Sequence, residues 1–218
     1  MTEELGKIEK PEAEKFRQGK RLYLIPLIYS NESAPVEYKE KCSRYWQQVT
    51  EQLSNLELKA GKVTRVYHES IFQPGEDGIK AIEKLNPDSY QIAKSKYEEG
   101  AILEALEDEE LLEETMDWGR CLMLGFMSEK VAEIIYQFYS EAENKRNTSI
   151  ADKLSQTLED SEAGLLFIRE GHMVQFPSNI EVFSIFPPSL DEIHRWLRDR
   201  TRIEAEKASE TAEEKAEE

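Results

Sequence analysis

The chain has 218 residues, enough for one ordinary domain, and carries 45 acidic against 28 basic residues for a formal net charge of -17. That balance argues against general nucleic-acid binding, which needs clustered Lys and Arg against phosphate, and no run of 18 apolar residues is present to span a membrane. Hydrophobic residues are 39% of the chain, enough for a core, so the expectation is a soluble, cytoplasmic, globular protein with no membrane association.

Residues 1–19 read as a polar, charge-rich leader, expected to be disordered; the stretch MTEELGKIEKPEAEKF lacks the apolar segment of a secretory signal. Leu22 to Tyr29 is a near-continuous apolar run, the pattern of a strand covered on both faces. Pro26 interrupts it and, having no N–H, points to an edge strand or a bulge. Ser33 and Pro35 open a helix that carries Cys42, Trp46, Val49 and Leu53 on one face, and Gly61 closes it. Val63 to Tyr67 is a second strand, and Gly75 to Leu85 a short helix stopped by Asn86-Pro87.

A mostly helical region is expected from 95 to 158. Val131, Ile134, Ile135, Phe138 and Ala142 form one apolar stripe in it, and Ile150, Leu154 and Leu158 another. Asn147-Thr148-Ser149 between them reads as a break or a cap. Gly164 to Ile168 and Ile180 to Phe186 are strands; Pro187-Pro188 stops the latter, and Ser189 is a candidate N-cap for a helix over Leu190 to Arg200. Strands alternating with helices predict an α/β fold: a predominantly parallel sheet of four or more strands flanked by helices, with a long helical insertion. The single domain is expected over 20–200. Residues 201–218 form an acidic low-complexity tail, within which 204–218 has seven Glu and two Lys and reads as either a frayed helix extension or a disordered tail.

Cys42 and Cys121 are too few for a disulfide scaffold and lie at no zinc-finger spacing, so both are expected to be buried free thiols. In open α/β sheets, ligands gather at the carboxyl ends of strands. His68-Glu69 follows one strand, and Glu170-Gly171-His172 follows another. Two imidazoles with Glu69 and Glu170 have the chemistry to bind a divalent metal, with His68, His172 and Glu170 as the candidate ligands. The same groups also suit acid–base hydrolysis, and histidines in turns are equally often plain surface residues.

The segments Asn144-Lys145-Arg146-Asn147, Ile150-Ala151-Asp152 and Gly164 to His172 resemble the second half of the TraB/TIKI-like, erythromycin-esterase-like superfamily. There an Arg-Asn or Arg-Asp helix start precedes a strand ending in Gly-His. Tyr67-His68-Glu69-Ser70 with Asn86-Pro87-Asp88 is similar to that family's first half, a His-x-Ser turn leading to a helix and a Pro-Asp. The resemblance implies a metal-dependent hydrolase with His68, Arg146 and His172 on its functional positions, and Arg146 supplying positive charge to an oxyanion. The chain departs from the pattern after Pro87-Asp88, where the family's acidic strand end is replaced by Ser89-Tyr90-Gln91-Ile92. It departs also in the extra strand-helix unit over 21–55. The expected catalytic set is His68, Glu69, Arg146 and His172.

From Glu98 to Asp117 there are ten acidic residues and no basic one. Read as one helix, this stretch places Glu109 and Glu113 on the apolar face; a helix broken near Asp108 exposes both instead. The functional alternative to a hydrolase is accordingly a non-enzymatic interaction protein that binds a basic partner through the acidic helix 98–117. Arg195, Arg198 and Arg202 near the end of the last helix are expected from the helix dipole without invoking nucleic acid.

Overall fold

A computed structural model describes the backbone of residues 19–217 and the side chains of residues 19–204. The leader 1–19 thus falls almost entirely outside the described residues. The elements are β1 (Lys20–Pro26), α1 (Val36–Ala60), β2 (Arg65–His68), α2 (Gly75–Leu85), α3 (Pro87–Glu98), β3 (Ile102–Leu103), α4 (Glu109–Met123), α5 (Glu129–Thr157), β4 (Ala163–Ile168), β5 (Ile180–Ser184) and α6 (Pro188–Glu217). The strands form one sheet in the order β3-β2-β4-β1-β5, and every pairing is parallel. The fold is α/β, as the alternation of strands and helices requires.

Parallel strands need crossovers that cover the sheet, which buries both faces and explains the apolar runs. Tyr23, Ile25 and Phe167 face α1, α2, α3 and α6 through Tyr45, Val49, Ile82, Ala93 and Ile193. Leu22, Leu24, Leu166 and Ile168 face α5 through Ile150 and Leu154. The two sets alternate along β1 and β4, as the strand period of two demands.

Pro26 sits in an interior strand, neither at a sheet edge nor in a bulge. The amides of Arg21 and Leu27 donate toward β4, to Glu162 O and Ile168 O. Even-numbered β1 residues therefore face β5, and β5 pairing ends at Leu24 with Ser184. Pro26 points past the end of β5, so its missing N–H removes no ladder bond.

The region 95–158 is mostly helical but interrupted: α3 ends at Glu98, a two-residue strand follows, and α4 starts only at Glu109. The acidic stretch 98–117 thus spans a strand and a turn as well as a helix. Several further expectations need correction. Asn147-Thr148-Ser149 neither breaks nor caps α5, which runs through it with Asn147 buried. Ser189 lies one residue inside α6, and its hydroxyl donates to Gln48 Oε1 at 2.8 Å, tying α6 to α1. The helix begins at Pro188, where the fixed proline φ suits a first turn and no N–H is missed. It continues to Glu217, so the acidic segment from 201 extends the helix, one of the two forms expected of it. Of the two thiols, Cys42 is buried but Cys121 is only half-buried; both are free.

Gly78 fixes how closely α2 approaches the sheet. A Cβ there would lie 2.2 Å from Gln73 O and 2.7 Å from Leu103 Cδ2. An unhindered Gly→Ala in a helix gains up to about 1 kcal/mol from propensity, whereas overpacking costs about 1–3 kcal/mol. Gly78→Ala is therefore expected to lower the urea midpoint at unchanged slope; a raised midpoint would show that α2 is not held this tightly.

Candidate functional site

The connection leaving β2 runs to β3 at one edge of the sheet, and that leaving β4 runs to β5 at the other. Neighbouring strands whose connections diverge leave a crevice at their carboxyl ends, where α/β proteins bind ligands. Five charged side chains converge there: Glu69 after β2, Glu107 after β3, Glu143 and Arg146 on α5, and Arg169 after β4.

Arg146 lies at the centre and is 4% exposed. Its Nε donates to Glu107 Oε2 at 3.0 Å, and its Nη2 donates both to Glu107 Oε1 and, at 3.1 Å, to Glu69 Oε1. Arg169 donates from Nη1 to Glu69 Oε1 at 2.7 Å, from its backbone N to Glu69 Oε2 at 2.6 Å, and from Nη2 to Glu143 Oε1. The amide of Ser70 donates to Glu107 Oε1 at 3.1 Å. Ser70 has φ of 67°, a left-handed conformation that a residue with a Cβ adopts only when its surroundings require it. Burial opposes the charge on Arg146, but Glu107 and then Glu69 outweigh it and hold the guanidinium above its ordinary pKa.

The sequence reading placed four catalytic candidates here, and the structure gives them different environments. Glu69 and Arg146 are directly paired. His68 is the last residue of β2 and fully buried. The carbonyl of Glu69 accepts from its Nδ1 at 2.7 Å, so that nitrogen carries the hydrogen and Nε2 accepts from Ser89 Oγ at 3.0 Å. Burial pulls its pKa down to about 4, keeping it neutral at physiological pH. Through Ser89, which donates its amide to Asn86 Oδ1, and through Asn86, which donates to Ile28 O at 3.0 Å, His68 bolts the ends of β1 and β2 to the start of α3.

His172 lies in the β4–β5 loop, just after Gly171, whose φ of 72° makes the turn. It is half-buried, its ring packs edge-on against Phe176, and its Nδ1 has no hydrogen-bond partner. Burial lowers its pKa, Glu69 raises it and Arg169 lowers it, the net shift being downward. Glu143 Oε2 is the other unpartnered atom of the cluster. The cluster's charges also reach Tyr29, which is 47% exposed: burial and then Glu69 push its hydroxyl up to about 12, against Arg169 and Arg146.

The metal expected on His68, His172 and Glu170 does not fit these residues. Both nitrogens of His68 are engaged inside the core, and the Glu170 carboxylate accepts from His194 Nε2 at 2.7 Å on α6. Among the described residues no group of three or more His, Cys, Asp or Glu is arranged to hold a metal ion. Arg146 is too buried to meet a substrate and acts by positioning Glu69 and Glu107; Arg169, whose side chain is 38% exposed, is the cation at the surface. Sequence reasoning missed Glu107, Glu143, Arg169 and Tyr29. Glu143 was detectable, since it follows Ala142 on the apolar stripe of α5. Glu109 and Glu113 are exposed, with Asp108 accepting from Leu111 N as the cap of α4. A groove of about 670 Å³ runs between residues 106–108 and α5; Glu107 lines it and His172 does not.

Compared with protein-family models, curated proteins and solved structures, the chain has no significant match. The fold and site define an all-parallel α/β protein with an ion-paired cluster at its switch point, and no helix among the described residues is long and apolar enough to cross a membrane.

Removing Arg146 would leave Glu69 and Glu107 buried without their shared cation. Arg146→Ala is expected to cost about 3–5 kcal/mol of unfolding free energy, with Arg146→Lys intermediate because an ammonium cannot make the forked contact. Chemical denaturation checks this; a loss below about 1 kcal/mol would show that the pairing is not structural.

Proposed function

We propose that this chain is a hydrolase working without a metal at the β2–β4 crevice, with His172 as the acid–base group. The observation that carries the reading is the Nδ1 of His172, a buried nitrogen without a hydrogen-bond partner on a half-buried ring, at the switch point of the sheet. Its lowered pKa leaves the imidazole neutral, and thus basic, at pH 7. In the proposed step His172 takes a proton from water as the oxygen adds to a substrate carbonyl. Arg169 steadies the resulting oxyanion, and the proton passes from His172 to the leaving group as the bond to it breaks. Glu69 orients Arg169, and Arg146 holds Glu69. His68 supports the site from within the core rather than touching substrate. The resemblance to TraB/TIKI-like hydrolases in the motifs around His68, Arg146 and His172 supports the class of reaction.

A panel of chromogenic esters, amides and phosphoesters tests the proposal. Turnover should depend on His172, falling about 10²–10⁴-fold in His172→Ala with little change in the melting temperature. Because the neutral imidazole is the active form, kcat/KM should rise with pH and level off below the ordinary histidine value of 6.5. No turnover on the panel, or turnover unchanged in His172→Ala, would contradict the reading.

A second reading is favoured by a separate observation: Glu109, Glu110, Glu113, Glu114 and Asp117 are all exposed on α4. Such a face supports binding of a basic partner by electrostatic steering.

A further inference from the structure

α4 and α5 pack along one another as a hairpin joined by the loop 124–128. None of the described side chains from residue 116 to residue 141 is buried. The hairpin therefore stands off the sheet as an arm, yet it is rich in apolar residues: Met116 is 48% exposed, Met123 and Leu124 80% each, and Met127 fully. Exposed apolar surface of this extent on a folded chain marks an interaction site, and methionine adapts to irregular partners.

The face has a direction. Leu112, Met116 and Met123 follow one another along α4 at spacings of four and seven, hence on one line of the helix. At its base a groove of about 400 Å³ lies between Phe72 and α4, floored by Phe72, Leu112 and Met116 and rimmed by Glu109, Glu113 and Asp117, with Arg120 at its end paired to Asp117 at 2.7 Å. These carboxylates recur every four residues, which places them side by side along the groove. An apolar floor beneath a row of carboxylates matches the aliphatic stem and cationic head of Lys or Arg.

We propose that this face of α4, from the Phe72 groove to Met123 at the arm's tip, seats a basic amphipathic helix of a partner protein. The inference rests on the basic-partner reading and adds the shape of the ligand: apolar residues on one side lie on Met116 and Met123 above the buried Leu112, and flanking cations meet Glu109 and Glu113. Charge selects this occupant over a second copy of the chain, since two such faces would oppose carboxylate to carboxylate. The hydrolase site is elsewhere, at the carboxyl ends of β2 and β4.

The test uses the full chain and two labelled peptides of identical Lys and Leu content. One has Leu at helical spacing, and the other is a scrambled isomer. Fluorescence anisotropy at low ionic strength should show the amphipathic peptide binding about tenfold or more tightly than the isomer, a difference of about 1.4 kcal/mol. Met116→Ser with Met123→Ser changes two exposed positions and should erase that preference while leaving the melting temperature unchanged. Glu109→Gln, Glu113→Gln and Asp117→Asn together should weaken both peptides and flatten the salt dependence. Equal binding of both peptides, or a preference that survives the serine variant, would overturn the helix-seating proposal while leaving a basic partner in place. Absence of salt-sensitive binding to either peptide would overturn the basic-partner reading and the proposal with it. Self-association in sedimentation that the serine variant abolishes would assign the face to a second copy and equally overturn it.

Discussion

Five ionised side chains lie where β2, β4 and α5 meet, and the need to take them out of water together shapes the carboxyl end of the sheet. A single buried carboxylate or guanidinium costs several kcal/mol unless each of its polar atoms finds a partner. Here Glu69, at the end of a strand, accepts from two guanidinium groups and a backbone amide, while Glu107 accepts from Arg146 and from the Ser70 amide. These contacts fix the conformation after each strand. The turn after β2 is held in its left-handed form, residues 106–107 are drawn back under the sheet, and the middle of α5 is pinned across it. Arg146 touches both Glu69 at the β2 end and Glu107 at the β3 end, and the Ser70 amide and the Ile71 carbonyl tie the same two ends directly.

The cluster also explains which atoms remain free for chemistry. Three carboxylates share two guanidinium groups, and the arrangement satisfies every buried oxygen except Glu143 Oε2. His172 stands near this excess on a half-buried ring, with its buried Nδ1 unbonded. His68, by contrast, has spent both nitrogens on the backbone and Ser89. The two histidines look alike in sequence, each following an apolar strand, yet one is a structural bolt and the other a titrating group at the surface. Burial alone makes the difference.

The interior strands β1 and β4 were legible because parallel strands covered on both faces must be apolar throughout, and Leu22–Ile25 and Gly164–Ile168 leave no other reading. β3 was not, since a two-residue strand carries no period and lies inside an acidic run. Glu107 was hidden for the same reason: nothing local separates a buried carboxylate from the solvated ones beside it when its cation is 39 residues away. Asn147-Thr148-Ser149 looked like a break or a cap in α5 because polar residues on an apolar stripe usually end a helix. Here Ala142, Glu143, Arg146, Asn147 and Ile150 keep the helical spacing of a single buried face, and the polar members meet buried charge instead of oil. Pro26 was misplaced because its edge preference follows from one hydrogen bond, and only the register with β5 shows that this bond is not required.

The central claim is that the buried charges act as one coupled unit, rather than as separate ion pairs that happen to be near each other. A double-mutant cycle on Arg146 and Glu107, with Arg146→Met and Glu107→Gln measured singly and together by chemical denaturation, addresses it most directly. Coupling predicts an interaction energy at the upper end of the usual range, about 2–3 kcal/mol, because each single change strands a charge or its partner and the double change strands fewer. Additivity to within about 0.5 kcal/mol would contradict it.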